Sequence, residues 1–239
     1  MNQDKPTILS TLALTPELVD QAAQLGIIIE NISFIETTPI INDGLETNIK
    51  EFYQKRIVAV FTSMRAVEAV IGFLTDIRPD WRIFCIGFAT KELIKHHFGE
   101  NSIIGTADSA TALADVVLSK GETSSVIFFC GDKRRDELPV QLRKHNIEVR
   151  EMEVYRTLTT AQKVQKHYDA ILFYSPSGVI GFFMSNTIFK ETVLFAIGNT
   201  TAAEIKKYTE NKIIVANKAS KESLAELAVN YFSKNNIHH

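Results

Sequence analysis

Five short segments hold most of the polar groups in this chain that are suited to chemistry. They are "TSMRA" from Thr62, "GFATK" from Gly87, "CGDKRRDE" from Cys130, "YSPSG" from Tyr174 and "GNTTA" from Gly198. Each follows a short apolar run and precedes an amphipathic one, so each joins a strand to a helix. Hydroxyls and free backbone N–H groups at such a junction suit anions, because the unpaired amides and the helix dipole both present positive charge there. Helix capping explains any one of these loops. Five of them at equivalent junctions favour a shared anionic ligand. The candidate contacts are Ser63, Arg65, Thr90, Lys133, Ser175, Ser177, Gly178, Thr200 and Thr201.

Arg65 stands out because a cation at a helix start opposes the dipole. Lys133, Arg134 and Arg135 form a basic run beside Asp132 and Asp136. The run reads either as solvated surface or as one or two cations reaching a ligand carboxylate. Tyr155 lies at the end of a long extended pattern. Its phenol can donate a proton or a hydrogen bond, or its ring packs on that strand.

Nucleotide signatures are missing. No G-x-G-x-x-G follows a strand, "GDKRRDEL" lacks the G-K-[ST] of a phosphate loop, and no G-x-S-x-G elbow occurs. No metal is expected. His96 and His97 are adjacent on a helix and should point in different directions, and His238 and His239 end the chain in the manner of a tag remnant. Cys85 and Cys130 sit in apolar runs and read as core residues rather than a disulfide.

Positioning those loops requires strands alternating with helices. Strands are expected near 7–12, 27–34, 57–62, 82–86, 103–104, 126–130, 148–155, 170–174, 193–197 and 213–216. Helices are expected near 65–74, 90–97, 111–118, 137–145, 201–208 and 221–232. That alternation indicates parallel α/β sheets.

The chain also repeats itself. "IFCIGFATKELI" from Ile83 recurs as "LFAIGNTTAAEI" from Leu194, and "VFTSMRAV" from Val60 recurs as "LFYSPSGV" from Leu172. A second pair, "PELVDQAAQLGIIIENISFIETT" from Pro16 and the segment beginning at Asp136, aligns without a gap. The order is a short β-α-β module, a long module, then both again. A five-stranded doubly wound sheet needs one module of each kind, paired either sequentially or with the second short module joining the first long one. The tails "NISFIETTPI" and "EMEVYRTLTT" are longer than a buried strand needs and favour the second pairing. The expected fold is α/β, with two doubly wound parallel-sheet lobes of five strands each, joined by a two-stranded antiparallel ribbon. The outer lobe is discontinuous, 1–34 plus 162–239. The central lobe is 50–152, and 35–49 with 153–161 are the linker strands. The repeated loops would then form two facing walls of one cleft.

A net charge of -2 argues against a nucleic-acid partner. No apolar run approaches a membrane span, and the N-terminus lacks a signal-peptide pattern, so a cytoplasmic protein is expected. No apolar surface stripe is left over, which points to a monomer.

The ordered set "VFTSMRAVEAV", "IGFATKELI", "FFCGDKRRDELPVQLRKHNIEVREMEVYRT", "LFYSPSGV" and "AIGNTTAAEI" resembles the uroporphyrinogen-III synthase family over nearly the whole chain. The resemblance implies the two-lobed fold with a discontinuous outer lobe. It also implies conversion of the linear tetrapyrrole hydroxymethylbilane to uroporphyrinogen III, with inversion of the last ring and loss of water. The resemblance further implies that no metal and no organic cofactor is used. Transient contact with hydroxymethylbilane synthase is a further implication. The family's cleft positions map onto Ser63, Arg65, Thr90, Ser175 and Thr200, and its candidate proton donor maps onto Tyr155. The chain departs from the pattern at "STLAL", where relatives carry Thr-Arg. The residues alone leave open a non-catalytic two-lobed sensor for an anionic small molecule.

Overall fold

The computed structural model describes residues 5–74, 78–121, 123–218 and 220–235. His238 and His239 lie outside them. In chain order the elements are β1 (Thr7–Ser10), α1 (Pro16–Gln24), β2 (Ile28–Asn31), β3 (Ile35–Pro39), α2 (Asp43–Tyr53), β4 (Val58–Phe61) and α3 (Met64–Ile71). There follow β5 (Arg82–Ile86), α4 (Phe88–Phe98), β6 (Ile103–Ala107), α5 (Ala110–Lys120), β7 (Ser125–Gly131), α6 (Glu137–Lys144) and β8 (Glu148–Thr159). The chain closes with β9 (Ala170–Phe173), α7 (Pro176–Phe183), β10 (Val193–Ala196), α8 (Asn199–Ile205), β11 (Ile213–Val215) and α9 (Lys221–Asn235).

Two compact units result. The first runs up to Glu36 and resumes at Leu158; the second is Thr37–Thr157. The first is built on the sheet β11-β10-β9-β1-β2, every adjacent pair parallel. The other sheet has the order β3-β8-β7-β4-β5-β6, parallel from β8 to β6. β3 is antiparallel to the outer half of β8. The Ile40 N–H donates to the Val154 carbonyl and the Thr160 N–H to the Phe34 carbonyl, each at 2.9 Å, so the numbering rises on one strand as it falls on the other. Five parallel strands per sheet and the antiparallel pair match the fold class expected from the alternation and the repeats.

The linker is shorter than expected. β3 stops at Pro39, and 43–49, expected to be extended, is helical in α2. The Asn42 carboxamide oxygen accepts from the Leu45 N–H at 2.8 Å and caps this helix. Leu45, Ile49 and Phe52, at helical spacing, are its buried face. They pack on Phe61, Val67 and Phe129, so the second unit begins well before residue 50. On the far side β8 is one strand of 12 residues rather than a sheet strand plus a separate linker.

Period-two alternation divides each strand between two helix layers. In β7, Phe129 faces α2 and α3, while Val126, Phe128 and Cys130 face α5 and α6. Burial pushes the Cys85 thiol up to about 11 and the Cys130 thiol up to about 12. The two lie on opposite faces of the sheet and are free. The His96 and His97 rings, expected to diverge, instead meet edge-on with centroids 4.8 Å apart. Helical neighbours start in different directions, but both rings swing toward the shared edge. The 120-residue repeat shows in the backbone as well: Gly26 and Asn146, equivalent in it, have φ of 75° and 59° at the turn from helix to strand. Asn tolerates this left-handed region better than other side chains do.

Strand order reverses once in each sheet. β4 continues through α3 to β5 on one side, whereas β7 continues through α6 to β8 on the other. In the first unit β1 turns to β2 and β9 turns the opposite way to β10. Ligands of open α/β sheets bind at the C-terminal ends of the two strands flanking such a reversal.

Candidate active site

In the second unit the reversal lies between the loops after β4 and β7. The first carries Ser63 and Arg65. The Ser63 hydroxyl oxygen accepts from the Arg65 N–H at 3.1 Å and caps α3. The Arg65 guanidinium pairs with Glu68 at 2.8 Å. Exposed pairs of this kind are weak, so a ligand carboxylate can displace Glu68. After β7, the basic run divides. Arg134 turns inward to Glu151, which also accepts from Arg143 at 2.7 Å. Burial raises the affinity of the Glu151 carboxylate for a proton, but hydrogen bonds from Arg134 and Arg143 outweigh it and hold the group below the usual carboxylate range. Lys133 and Arg135 are exposed and form no ion pair among the described residues. Sequence reasoning missed Glu151; its signal was a carboxylate two residues past the buried Val149, on the same face of an alternating strand.

Tyr155 sits on β8 beside the end of β7. Ladder partners run Cys130–Glu153 and then Gly131–Tyr155, so β8 carries one extra residue there, a β-bulge. The ring is half-buried against the layer containing Phe129 and Val154. Its hydroxyl makes no hydrogen bond among the described residues.

The loop after β5 differs from the Ser63 loop. Its cap residue is Gly87, with φ 78°, and no side chain satisfies the first amides of α4. Phe88, the first helical residue, is 79% exposed. Thr90 is only 6% exposed, yet its hydroxyl has no hydrogen-bond partner among the described residues. The fully enclosed side-chain oxygen without a partner among the described residues is Thr160 Oγ1; the Thr90 hydroxyl still reaches solvent, so it is open to water or to a ligand atom.

The first unit repeats this division. The Ser175 hydroxyl oxygen accepts from the Gly178 N–H at 3.1 Å and caps α7, as Ser63 caps α3. Ser177 is half-buried with no hydrogen-bond partner among the described residues. Gly198 caps α8 without a side-chain bond, as Gly87 caps α4. Thr201, 1% exposed and also unpartnered among the described residues, is the structural counterpart of Thr90. Thr200 is its exposed neighbour and aligns with Ala89.

Ser10 and Thr11, at the end of β1, complete the reversal in this unit. Thr11 is 4% exposed, and its hydroxyl donates to the Leu172 carbonyl at 2.8 Å. A Cβ added to Gly178 would stand 3.6 Å from that hydroxyl oxygen. The Ser10 hydroxyl donates to the Leu12 carbonyl at 2.6 Å and lies 3.4 Å from the Tyr174 hydroxyl. Burial pushes the Tyr174 phenol up to about 12, so it stays protonated at neutral pH. Sequence reasoning noted this loop only as the departure "STLAL" and assigned it no site residue, although extending the 120-residue repeat places Ser10 and Thr11 opposite Cys130 and Gly131.

Comparisons with known proteins place the fold and the family of this chain. The structure superimposes on uroporphyrinogen-III synthetase from Helicobacter pylori with a TM-score of 0.64 at 16% identity, covering 95% of this chain and 99% of that one. It also superimposes on a mutant uroporphyrinogen III synthase from the extremely thermophilic bacterium Thermus thermophilus with a TM-score of 0.60 at 12% identity, covering 96% and 99%. At such identities the likeness establishes a shared fold. The sequence itself supplies the kinship: a family model for uroporphyrinogen-III synthase HemD matches residues 16–226, and the chain belongs to the uroporphyrinogen-III synthase family.

Proposed function

We propose that this protein cyclises hydroxymethylbilane to uroporphyrinogen III without a metal or organic cofactor. The observation that carries the reading is the family match across residues 16–226, which spans both units and all five loops. The open groups suit a substrate with many carboxylates. The α4 and α8 junctions have no capping side chain, and each has an unpartnered buried threonine, Thr90 or Thr201. Lys133 is exposed to supply positive charge. Ser63, Arg65, Ser175, Ser177, Gly178 and Thr200 frame these groups.

In the reaction proposed, the substrate's terminal hydroxyl takes a proton and leaves as water, giving an electron-poor azafulvene. Tyr155 is the donor. The substituted carbon of the last ring attacks this centre and forms a spiro intermediate. The bond from that carbon to its original methylene bridge then breaks, the bridge is captured by the ring's unsubstituted α-carbon with the ring turned over, and the proton lost from that carbon returns to the Tyr155 phenolate. The free substrate also cyclises without inversion, so the protein's main contribution is to hold one reactive conformation, with acid catalysis added.

Incubating purified protein with hydroxymethylbilane and resolving the product isomers tests the proposal. Type III product without added metal or cofactor is expected. Type I product alone, at the rate seen in buffer, would leave the protein a sensor of anionic ligands.

A further inference from the structure

We infer that Gly131 and Asp132 form a seat for the Tyr155 side chain, with Gly131 a positioning residue for the proton donation assigned to Tyr155. The inference rests on that assignment and goes beyond it. Gly131 ends β7 at the edge where the strand order reverses. A Cβ added there would stand 2.4 Å from Tyr155 Cζ, 2.5 Å from Cε2 and 2.9 Å from the hydroxyl oxygen. The phenol therefore lies across the space that any side chain at 131 would fill.

Three further contacts fix the seat. The β8 bulge falls at this register position and brings Tyr155 into ladder with Gly131 rather than Val154. The Asp132 N–H donates to the Tyr155 carbonyl at 3.2 Å. The Asp132 carboxylate accepts from the Thr157 N–H at 2.9 Å. The bonds to Asp132 thus hold the backbone on the C-terminal side of the phenol, and the missing Cβ sets where the ring rests.

Gly131 is not required for backbone reasons. The glycines with positive φ among the described residues are Gly26, Gly87, Gly99 and Gly121. An alanine at 131 therefore meets first the far end of the Tyr155 side chain, which can swing away by rotation about χ1 and χ2. The fold should survive and the phenol should move. This distinguishes Gly131 from Gly105, where a Cβ would meet the packed Phe84 and Val116 at 2.6–2.7 Å inside the core.

The experiment uses the full chain carrying ring-13C tyrosine, with the Tyr155 resonance assigned by Tyr155→Phe among the six tyrosines. Gly131→Ala should shift the Tyr155 resonance and leave the other five in place. It should lower kcat at least as much as Tyr155→Phe does, with KM changed less than about threefold. In a Tyr155→Ala background, Gly131→Ala should cost no further turnover. Asp132→Ala should move the same resonance and lower kcat, and Asp132→Asn, which keeps an acceptor oxygen, should recover most of the loss. The seat is overturned if neither Gly131→Ala nor Asp132→Ala moves the Tyr155 resonance. It is also overturned if the Gly131→Ala loss persists undiminished in the Tyr155→Ala background, which would make Gly131 a packing residue. Full turnover in Tyr155→Phe would instead remove the donor assignment, a result separate from the resonance shifts that report the seat.

Discussion

Thr90 and Thr201 separate a binding role from a structural one within a single side chain. A hydroxyl with no protein partner contributes little to the stability of the folded state. Replacing either with valine, close in shape, should leave the melting temperature unchanged or raise it slightly. If each hydroxyl binds a substrate carboxylate, the same change should raise KM by about tenfold, the scale of a charge-assisted hydrogen bond. Thermal melts beside steady-state kinetics would read both, and a valine variant with a lower melting point and unchanged KM would assign the hydroxyl to packing. Tyr155→Phe belongs to the same scale. General acid catalysis contributes about 10²–10⁴-fold, and water can replace the phenol, so the expected loss in turnover is at or below about 10²-fold. Type III product should persist, because the groups that hold the reactive conformation remain.

At the scale of elements, two features set how the loops are held. The helix α2 is anchored by its cap and its buried stripe. Asn42→Ala should cost about 1 kcal/mol through the lost cap, and Ile49→Ala about 2–5 kcal/mol through the cavity left, both measurable by urea denaturation. The second feature is the tether between Arg134, on the Lys133 loop, and Glu151 on β8. The Glu151 pKa is depressed in the folded state. Its stabilisation is therefore present above the unfolded value of about 4.3 and lost as pH falls through the folded value. Glu151→Gln should lower stability by about 1–3 kcal/mol at pH 7. The difference from the unmodified protein should shrink below about pH 4. A gap constant from neutral to strongly acidic pH would show that the carboxylate's charge is not what holds the loop.

For the whole molecule, the division into units makes a prediction about fragments. Residues 37–157 contain a sheet covered on both faces by their own helices, through Phe52, Val67 and Phe129 on one side and Phe128, Leu113 and Leu142 on the other. That fragment should unfold cooperatively by itself. A fragment of 50–152 lacks Leu45 and Ile49 and should be markedly less stable, with an early, broad melt followed by circular dichroism. Residues 1–100 hold strands of both sheets and complete neither, so they should not fold. Cooperative melting of 1–100 but not of 37–157 would contradict the division.

The sequence by itself determined the alternation of strands and helices from β4 onward, the parallel character of the sheets and which loops gather hydroxyls, amides and cations. Apolar periodicity and internal repetition are local or pairwise signals, and both survive in the chain as written. Thus β5 is legible to the residue, and the "GFATK" and "GNTTA" loops are recognisable as equivalents from the letters alone. Tertiary structure alone decided what each polar group is free to do. Ser63 and Ser175 resemble Thr90 and Thr201 as letters, yet the first pair caps its own helices and the second is left unpaired. Arg134 and Lys133 are adjacent cations, but only Arg134 faces the partly buried Glu151 carboxylate. Tyr155 depends on a bulge and on a glycine 24 positions earlier. These outcomes depend on which strand lies beside which and in what register, and no periodicity along the chain encodes that pairing.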